Sequence, residues 1–373
     1  MVNQERLVAE FLELVQVDSE SKNEAEIAKL LKEKLTALGL EVTEDETKAQ
    51  TGLGSGNLIA RLKGSVQTAD PILFSCHFDT VTPGNGVKPV INGDLIETDK
   101  TTILGADDKA GIAALLEGIR LLKEENVAHG DVEFVLTAGE EIGLIGATAV
   151  DKKALNAKYG FALDSGGSVG EIIVASPDHA KIKANVHGIA AHAGVAPEEG
   201  VSAIEIAAKA ITNMPLGRLD EELTANIGMI NGGLRTNIVC DLVTLTGEAR
   251  AITFSKLENQ MKVMSEALEK AAVERGCTVD IDVSYERVGY TLKETDPVVQ
   301  VAKTAIEQIG RTPDLCATGG GSDANIFTLA GIPTANLGVG YLDIHSKEEK
   351  MPISELVKLS ELVVEIVKVV AVK

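Results

Sequence analysis

Two adjacent carboxylates, Glu140 and Glu141, lie in the stretch TAGEEIG at 137–143, directly after an apolar run at 132–136 that predicts a buried strand. A strand tip that carries two acids between glycines suits a metal site with its own base. It suits a solvated strand end as well, and the pair alone does not choose. Other stretches have the same form. His77-Phe78-Asp79 closes an apolar run at 71–78. Residues two apart in a strand point the same way, so Asp79 can orient or support a metal-binding His77. LGADDKAG at 104–111 opens a helix, where Asp107 and Asp108 also fit as N-cap and first-turn acid. A carboxylate at that junction can bridge two cations, one on each oxygen, and Asp107 lies on its loop side. Asp164, in ALDSGG at 162–167, and His345, in DIHSKEE at 343–349, each follow a predicted strand. Singly, these are ordinary strand-end residues.

Counted together, His77, Asp107, Glu141, Asp164 and His345 offer two imidazoles and three carboxylates. That is the donor set of a pair of zinc or similar divalent ions. If Asp107 bridges, each ion has one histidine, one terminal carboxylate and the shared one, with room for a water. Two ions about 3.5–4 Å apart acidify such a water and clamp a carbonyl oxygen. Glu140 is then free to act as general base.

The elements that must position these residues follow from the hydrophobic pattern. A chain of 373 residues exceeds one ordinary core, so two domains are expected. Helical spacing over 3–17, 24–38 and 107–122 alternates with apolar strands at 71–78, 131–136 and 159–163. This predicts an α/β fold, a mostly parallel sheet flanked by helices, with ligands outside the carboxyl ends of the strands. The pattern changes near 178. Strands at 181–187, 226–230, 238–251 and 278–286 and helices at 200–214 and 255–274 follow the order β-α-β-β-α-β of a ferredoxin-like α+β unit. Residues 178–288 are therefore expected as an inserted domain, with 1–177 and 289–373 forming the first. The glycine-rich stretch at 51–56 is followed by a strand, not a helix, so it predicts a hairpin-like turn and no phosphate loop. His129 is expected at the surface, His179 at the domain junction and His187 at a strand end, none of them in the site.

Composition removes whole classes of function. Aromatics are only 3% and Trp is absent, which leaves no base-stacking platform. A formal charge of −21 repels phosphate backbones and anionic lipid, so neither nucleic acid nor a membrane is an expected partner. The first residues lack the pattern of a signal peptide. The four cysteines are scattered without CxxC spacing, which fits thiols in a reducing cytoplasm.

At this point the motifs carry a resemblance. HFDT at 77–80, LGADDKAG at 104–111, TAGEEIG at 137–143, ALDSGG at 162–167 and DIHSKEE at 343–349 are similar to those of a co-catalytic metallopeptidase family. That family includes peptidase T, aminoacylase, succinyl-diaminopimelate desuccinylase and carboxypeptidase G. The resemblance implies a zinc-exopeptidase-like catalytic domain and His77, Asp107, Glu141, Asp164 and His345 as ligands. It implies Asp107 as the bridge, Glu140 as base, Asp79 as the support of His77, and a cis peptide at Asp107–Asp108. The cofactors implied are two divalent ions, zinc first, with manganese or cobalt as alternatives. Spacing alone reads His192 as a surface loop residue, but in this family the histidine of GxxAH enters the active site, commonly from the partner subunit of a dimer, which implies a homodimer formed through the inserted domain with His192 acting in cis or in trans. Asn237, Arg250 and Gly320 are implied as substrate contacts. For Arg250 a strand-end surface charge is an equal reading, and for Gly320 a flexible turn.

The GADDKAG and AHAG segments are most similar to the peptidase T branch, which implies an aminopeptidase acting on a small peptide such as a tripeptide. An N-acyl-amino-acid amidohydrolase and a non-catalytic small-molecule binding relative stay open on the same scaffold. Retention of Glu140 beside all five ligands speaks against the latter. Only 30 positions separate His77 from Asp107 (107 − 77), whereas 181 separate Asp164 from His345 (345 − 164). That spacing separates this family from aminopeptidases that insert a domain into the first gap.

Overall fold

A computed structural model describes residues 1–286 and 288–372. The expected domain limits run across Arg287 and Lys373, which lie outside the described residues. The chain forms two compact units: Met1–Val174, Leu292–Cys316 and Ser322–Lys373 make the first, and Ala175–Thr291 with Ala317–Gly321 the second.

Four strands at the centre of the first unit, Val132–Thr137, Ile72–His77, Tyr159–Ser165 and Thr334–Gly338, lie side by side and parallel. Every residue of Val132–Thr137, Ile72–His77 and Thr334–Gly338 is buried, because helices cover both faces of such a sheet. Their apolar runs therefore do not alternate. Phe74 stacks on Phe134 with ring centroids 5.9 Å apart and meets Phe161 at 5.7 Å, tying three adjacent strands together. The flanks are antiparallel. Leu58–Leu62 pairs with Val132–Thr137 and carries Glu41–Glu44 on its outer side, while Glu171–Ser176 pairs with Thr334–Gly338.

The helix Ala106–Glu124 packs against the helices Gln4–Val15 and Ile353–Ala371. Gly118 allows that approach, since a Cβ there would meet Val363 Cγ1 at 2.7 Å. The stretch at 51–56 joins the antiparallel strands Glu41–Glu44 and Leu58–Leu62, but a short helix, Thr47–Thr51, precedes it. Asp45 starts that helix by accepting from the Thr47 and Asn57 amides at 3.0 and 2.8 Å. No helix among the described residues is long and apolar enough to cross a membrane. His129 departs from the surface expectation: it is buried, with its Nδ1 2.7 Å from the Gly130 carbonyl.

The second unit is an antiparallel sheet in the order Gly217–Arg218, Leu223–Gly232, Leu242–Ala251, Asp178–His187, Val279–Glu286. Ala180, Ile182, Ala184 and Val186 alternate with exposed Lys181 and Lys183 and face the helices Ala203–Asn213 and Phe254–Val273. Period-two alternation with one solvated face is what an antiparallel sheet covered on one side requires.

Candidate metal centre

Four of the five candidate ligands, His77, Glu141, Asp164 and His345, lie at the carboxyl end of a parallel strand or in the loop that follows it, and Asp107 lies in the first turn of the helix Ala106–Glu124. His77 ends the strand Ile72–His77. Its Nδ1 lies 3.0 Å from the Asp79 main-chain oxygen, which fixes the ring. Its Nε2 lies 3.1 Å from Asp107 Oδ1 and 3.8 Å from Asp164 Oδ1. His345 Nε2 lies 3.3 Å from Asp107 Oδ2 and 3.1 Å from Glu141 Oε2. Asp107 thus presents one oxygen to a histidine–aspartate pair and the other to a histidine–glutamate pair. Among the described residues, His77, Asp107 and Glu141 bring donor atoms within 4.8 Å of one another.

The supports explain why these positions hold. Asp164 is pinned at its main chain by Asn336, which accepts from the Asp164 amide at 3.0 Å and donates to its carbonyl at 2.6 Å. Asn57 accepts from the Ala138 amide at 3.1 Å and donates to Gly146 O at 3.0 Å, bracing the loop that carries Glu140 and Glu141. The Asp79 carboxylate stands 3.6 Å from His77 Nδ1. Its shorter contacts are with the amides of Glu140 (2.9 Å) and Glu141 (3.3 Å) and the Ser21 hydroxyl (2.7 Å). Its carboxylate therefore serves the Glu140–Glu141 loop more directly than the ring. The Asp107–Asp108 peptide is cis.

Electrostatics fit a cation. Asp107, Asp108, Asp164 and Asp323 are wholly or nearly buried, with Glu140 and Glu141 beside them, against two imidazoles. Burial, followed by the charge of Asp164, pushes the Glu140 carboxyl well above its ordinary value. Burial likewise lifts Asp164 well above the usual range, and Asp323 to about 6. Burial opposes ionisation of Asp107, but hydrogen bonds from His345 and His77 outweigh it and hold that carboxyl below its ordinary value. The His345 imidazole is raised to about 10 by its hydrogen bonds with Asp107 and Glu141. Glu141 Oε1 is buried with no hydrogen-bond partner among the described residues. A surplus of buried carboxylate, an unpartnered oxygen and mixed imidazole and carboxylate donors fit hard or borderline divalent ions.

Several residues here escaped the sequence. The Tyr341 hydroxyl lies 3.3 Å from Asp107 Oδ1 and 3.2 Å from Asp164 Oδ1. Asp323 is buried and accepts from the Thr137 hydroxyl. Glu349 accepts from three amides of the loop before Asp107. Only Glu349, inside the DIHSKEE motif, had a signal close to a recognised ligand.

The remaining candidates belong to the second unit. His192 is exposed and forms an isolated bridge with Ile238, and the Ala193 amide donates to Asn237 O at 3.0 Å, so His192 and Asn237 lie in adjoining strands of one loop pair. Arg250 Nε donates to Glu248 at 3.1 Å and its Nη1 to the Gly319 carbonyl at 3.1 Å. Gly320 donates its amide to the Thr318 hydroxyl at 3.2 Å and accepts from Ser176 at 2.7 Å. That amide is therefore already engaged within its own loop.

Comparison with known proteins agrees with this architecture. The family model described as Peptidase family M20/M25/M40 matches residues 73–369. The chain is 56% identical over 368 residues to an uncharacterized protein, YqjE, of Bacillus subtilis (strain 168), covering 99% of each. The crystal structure of aminopeptidase PepT from Bacillus cereus ATCC 10987 is 57% identical with a TM-score of 0.93, covering 99% of both chains. That of a tripeptidase from Staphylococcus aureus subsp. aureus Mu50 is 44% identical with a TM-score of 0.96, covering 100% of both. The chain belongs to the M20 family and is a metallopeptidase.

Proposed function

We propose that this protein is an aminopeptidase that uses two divalent ions, zinc first, to release the N-terminal residue of a small peptide, with tripeptides the preferred length. The observation that carries the reading is the two-sided Asp107 carboxylate, with His77 and Asp164 on one oxygen and His345 and Glu141 on the other. Each trio would hold one ion. The aminopeptidase and tripeptidase among its relatives support the substrate class.

Bound ions would polarise the scissile carbonyl and acidify the attacking water. Glu140 would take the water's proton and return it to the leaving amine, acting as base and then acid. Its main chain is held for that task by Asp79. His192 would hydrogen-bond the carbonyl oxygen as negative charge develops on it. Asn237, Arg250 and the loop at Gly320 would bind the rest of the peptide, with a guanidinium suited to its carboxylate.

The same reading includes a homodimer through the second unit. Met229, Ile230 and Leu234 are 59%, 52% and 89% exposed along and beyond the strand Leu223–Gly232, whose outer side past Ala225 has no partner strand among the described residues, and apolar side chains beside such an edge favour a partner. Four free cysteines suit a cytoplasmic enzyme.

The test is a screen of di-, tri- and N-acylated peptides with the ion-loaded protein, alongside elemental analysis. Two ions per chain and fastest turnover on tripeptides with a free amino end are expected. Cleavage of N-acyl amino acids alone would transfer the protein to the amidohydrolases. Sedimentation should give twice the monomer mass, and a monomer at micromolar concentration would remove the dimer.

A further inference from the structure

We propose that Glu349 is the positioning residue for the Asp107 carboxylate, and that it governs ion affinity without touching substrate. The inference rests on reading Asp107 as the bridge between two ions. Glu349 is 1% exposed, yet it carries a carboxylate. Its Oε2 accepts from the amides of Leu104 at 2.7 Å and Gly105 at 2.8 Å, and its Oε1 from the amide of Asp107 at 3.1 Å.

Those three amides have no place in a helical ladder. Gly105 has φ +74, and Asp107 and Asp108 are non-helical at φ −81, ψ 105 and φ −117, ψ 32. Backbone N–H groups that converge in this way form an anion cradle, and Glu349 fills it with charge-assisted hydrogen bonds. The buried ammonium of Lys109, bonded to Val17 O at 2.9 Å, lies within electrostatic reach of the same carboxylate. Four residues earlier in the same loop, His345 touches the Asp107 side chain at 3.3 Å. One loop therefore grips Asp107 twice, its backbone through Glu349 and its carboxylate through His345. Asp107 can face two ions only if its backbone is turned correctly. Because the loop before it has no ladder of its own, Glu349 supplies the hold.

Glu349→Gln tests this. An amide side chain has one acceptor oxygen, so it keeps at most two of the three bonds and aims an NH2 at the third amide. Zinc affinity, measured by competition with a chromophoric chelator, should fall about 10–100-fold, the usual loss when an outer-shell partner of a metal ligand is removed. KM for a tripeptide at saturating zinc should stay within about threefold, and excess zinc should recover activity. Glu133→Gln is the control for a merely structural role: Glu133 is also buried and accepts from the Asn156 and Ala157 amides at 2.8 and 3.0 Å, at the start of its strand. It should lower the melting temperature and leave zinc affinity unchanged. Zinc affinity of Glu349→Gln within about threefold of wild type would overturn the proposal. Wild-type protein that binds no divalent ion would overturn the two-ion reading itself, a separate result. Should Glu349→Gln not fold, hydrogen exchange on wild type decides. Zinc should slow exchange at Leu104, Gly105 and Asp107, and unchanged exchange there would refute the coupling.

Discussion

Replacing Glu140 by Gln separates its role from that of its neighbour. The substitution is isosteric, and the Glu140 main chain is fixed independently of its carboxylate. Its amide donates to Asp79 at 2.9 Å, and its carbonyl accepts from Gly143 and Leu144 at 2.9 and 2.8 Å. The loop should therefore keep its shape and Glu141 its position. What is lost is a group able to take a proton from water and return it to the amine. General base catalysis is worth about 10²- to 10⁴-fold, or about 3–5 kcal/mol of barrier. We expect kcat on a tripeptide to fall by that factor, KM to move less than about threefold, and ion content to remain two per chain. Chromatographic product analysis and elemental analysis of one preparation measure all three. Turnover within about tenfold of wild type, with both ions bound, would refute Glu140 as base. Loss of an ion would show instead that Glu140 is a ligand.

Asp107→Ala removes both faces of the bridge and should lose both ions, which elemental analysis of the purified variant checks; a variant retaining two would end the bridging role. If His192 acts on the neighbouring subunit, mixing Glu140→Gln with His192→Ala protein should restore part of the activity through heterodimers. Heterodimers that form and stay inactive would place His192 on its own subunit's site. In chelator the pH dependence has a definite sign. Asp323, raised to about 6, and His345, raised to about 10, both favour their protonated forms in the fold. Groups raised in the folded state contribute stability that is complete below their unfolded pKa and fades as pH rises through the folded one. Lys109, held down at about 8 by burial, acts in the opposite sense above that pH. The melting temperature of the chelated protein should therefore fall from about pH 4 to about pH 8, and added zinc should flatten the trend; a chelated protein that gains stability over that range would contradict it.

The parts of the fold legible in the sequence were those that bury whole strands. Ile72–His77 and Val132–Thr137 are mainly apolar because both faces are covered, and each run ends on a polar residue, His77 or Thr137, at the ligand end of the sheet. The antiparallel flank Glu171–Ser176 and the short helix Thr47–Thr51 were not legible, since pairing direction and local capping leave little trace in periodicity. Tyr341 and Asp323 were missed for another reason. Their significance comes from neighbours far along the chain, Asp107 and Asp164 for one and Thr137 for the other. A tyrosine among glycines and an acid at a helix start look the same whether or not such neighbours exist.

The interruption of the first unit by the second has a consequence for biosynthesis. The chain leaves the first unit at Val174 and returns at Leu292. His77, Asp107, Glu141 and Asp164 are therefore translated before the excursion, while Tyr341, His345 and Glu349 emerge only after it. A nascent chain that has reached Val174 holds four of the five proposed ligands and lacks the loop that carries His345. On the two-ion reading, connectivity times the peptidase: its metal centre is complete only after the second unit has been made.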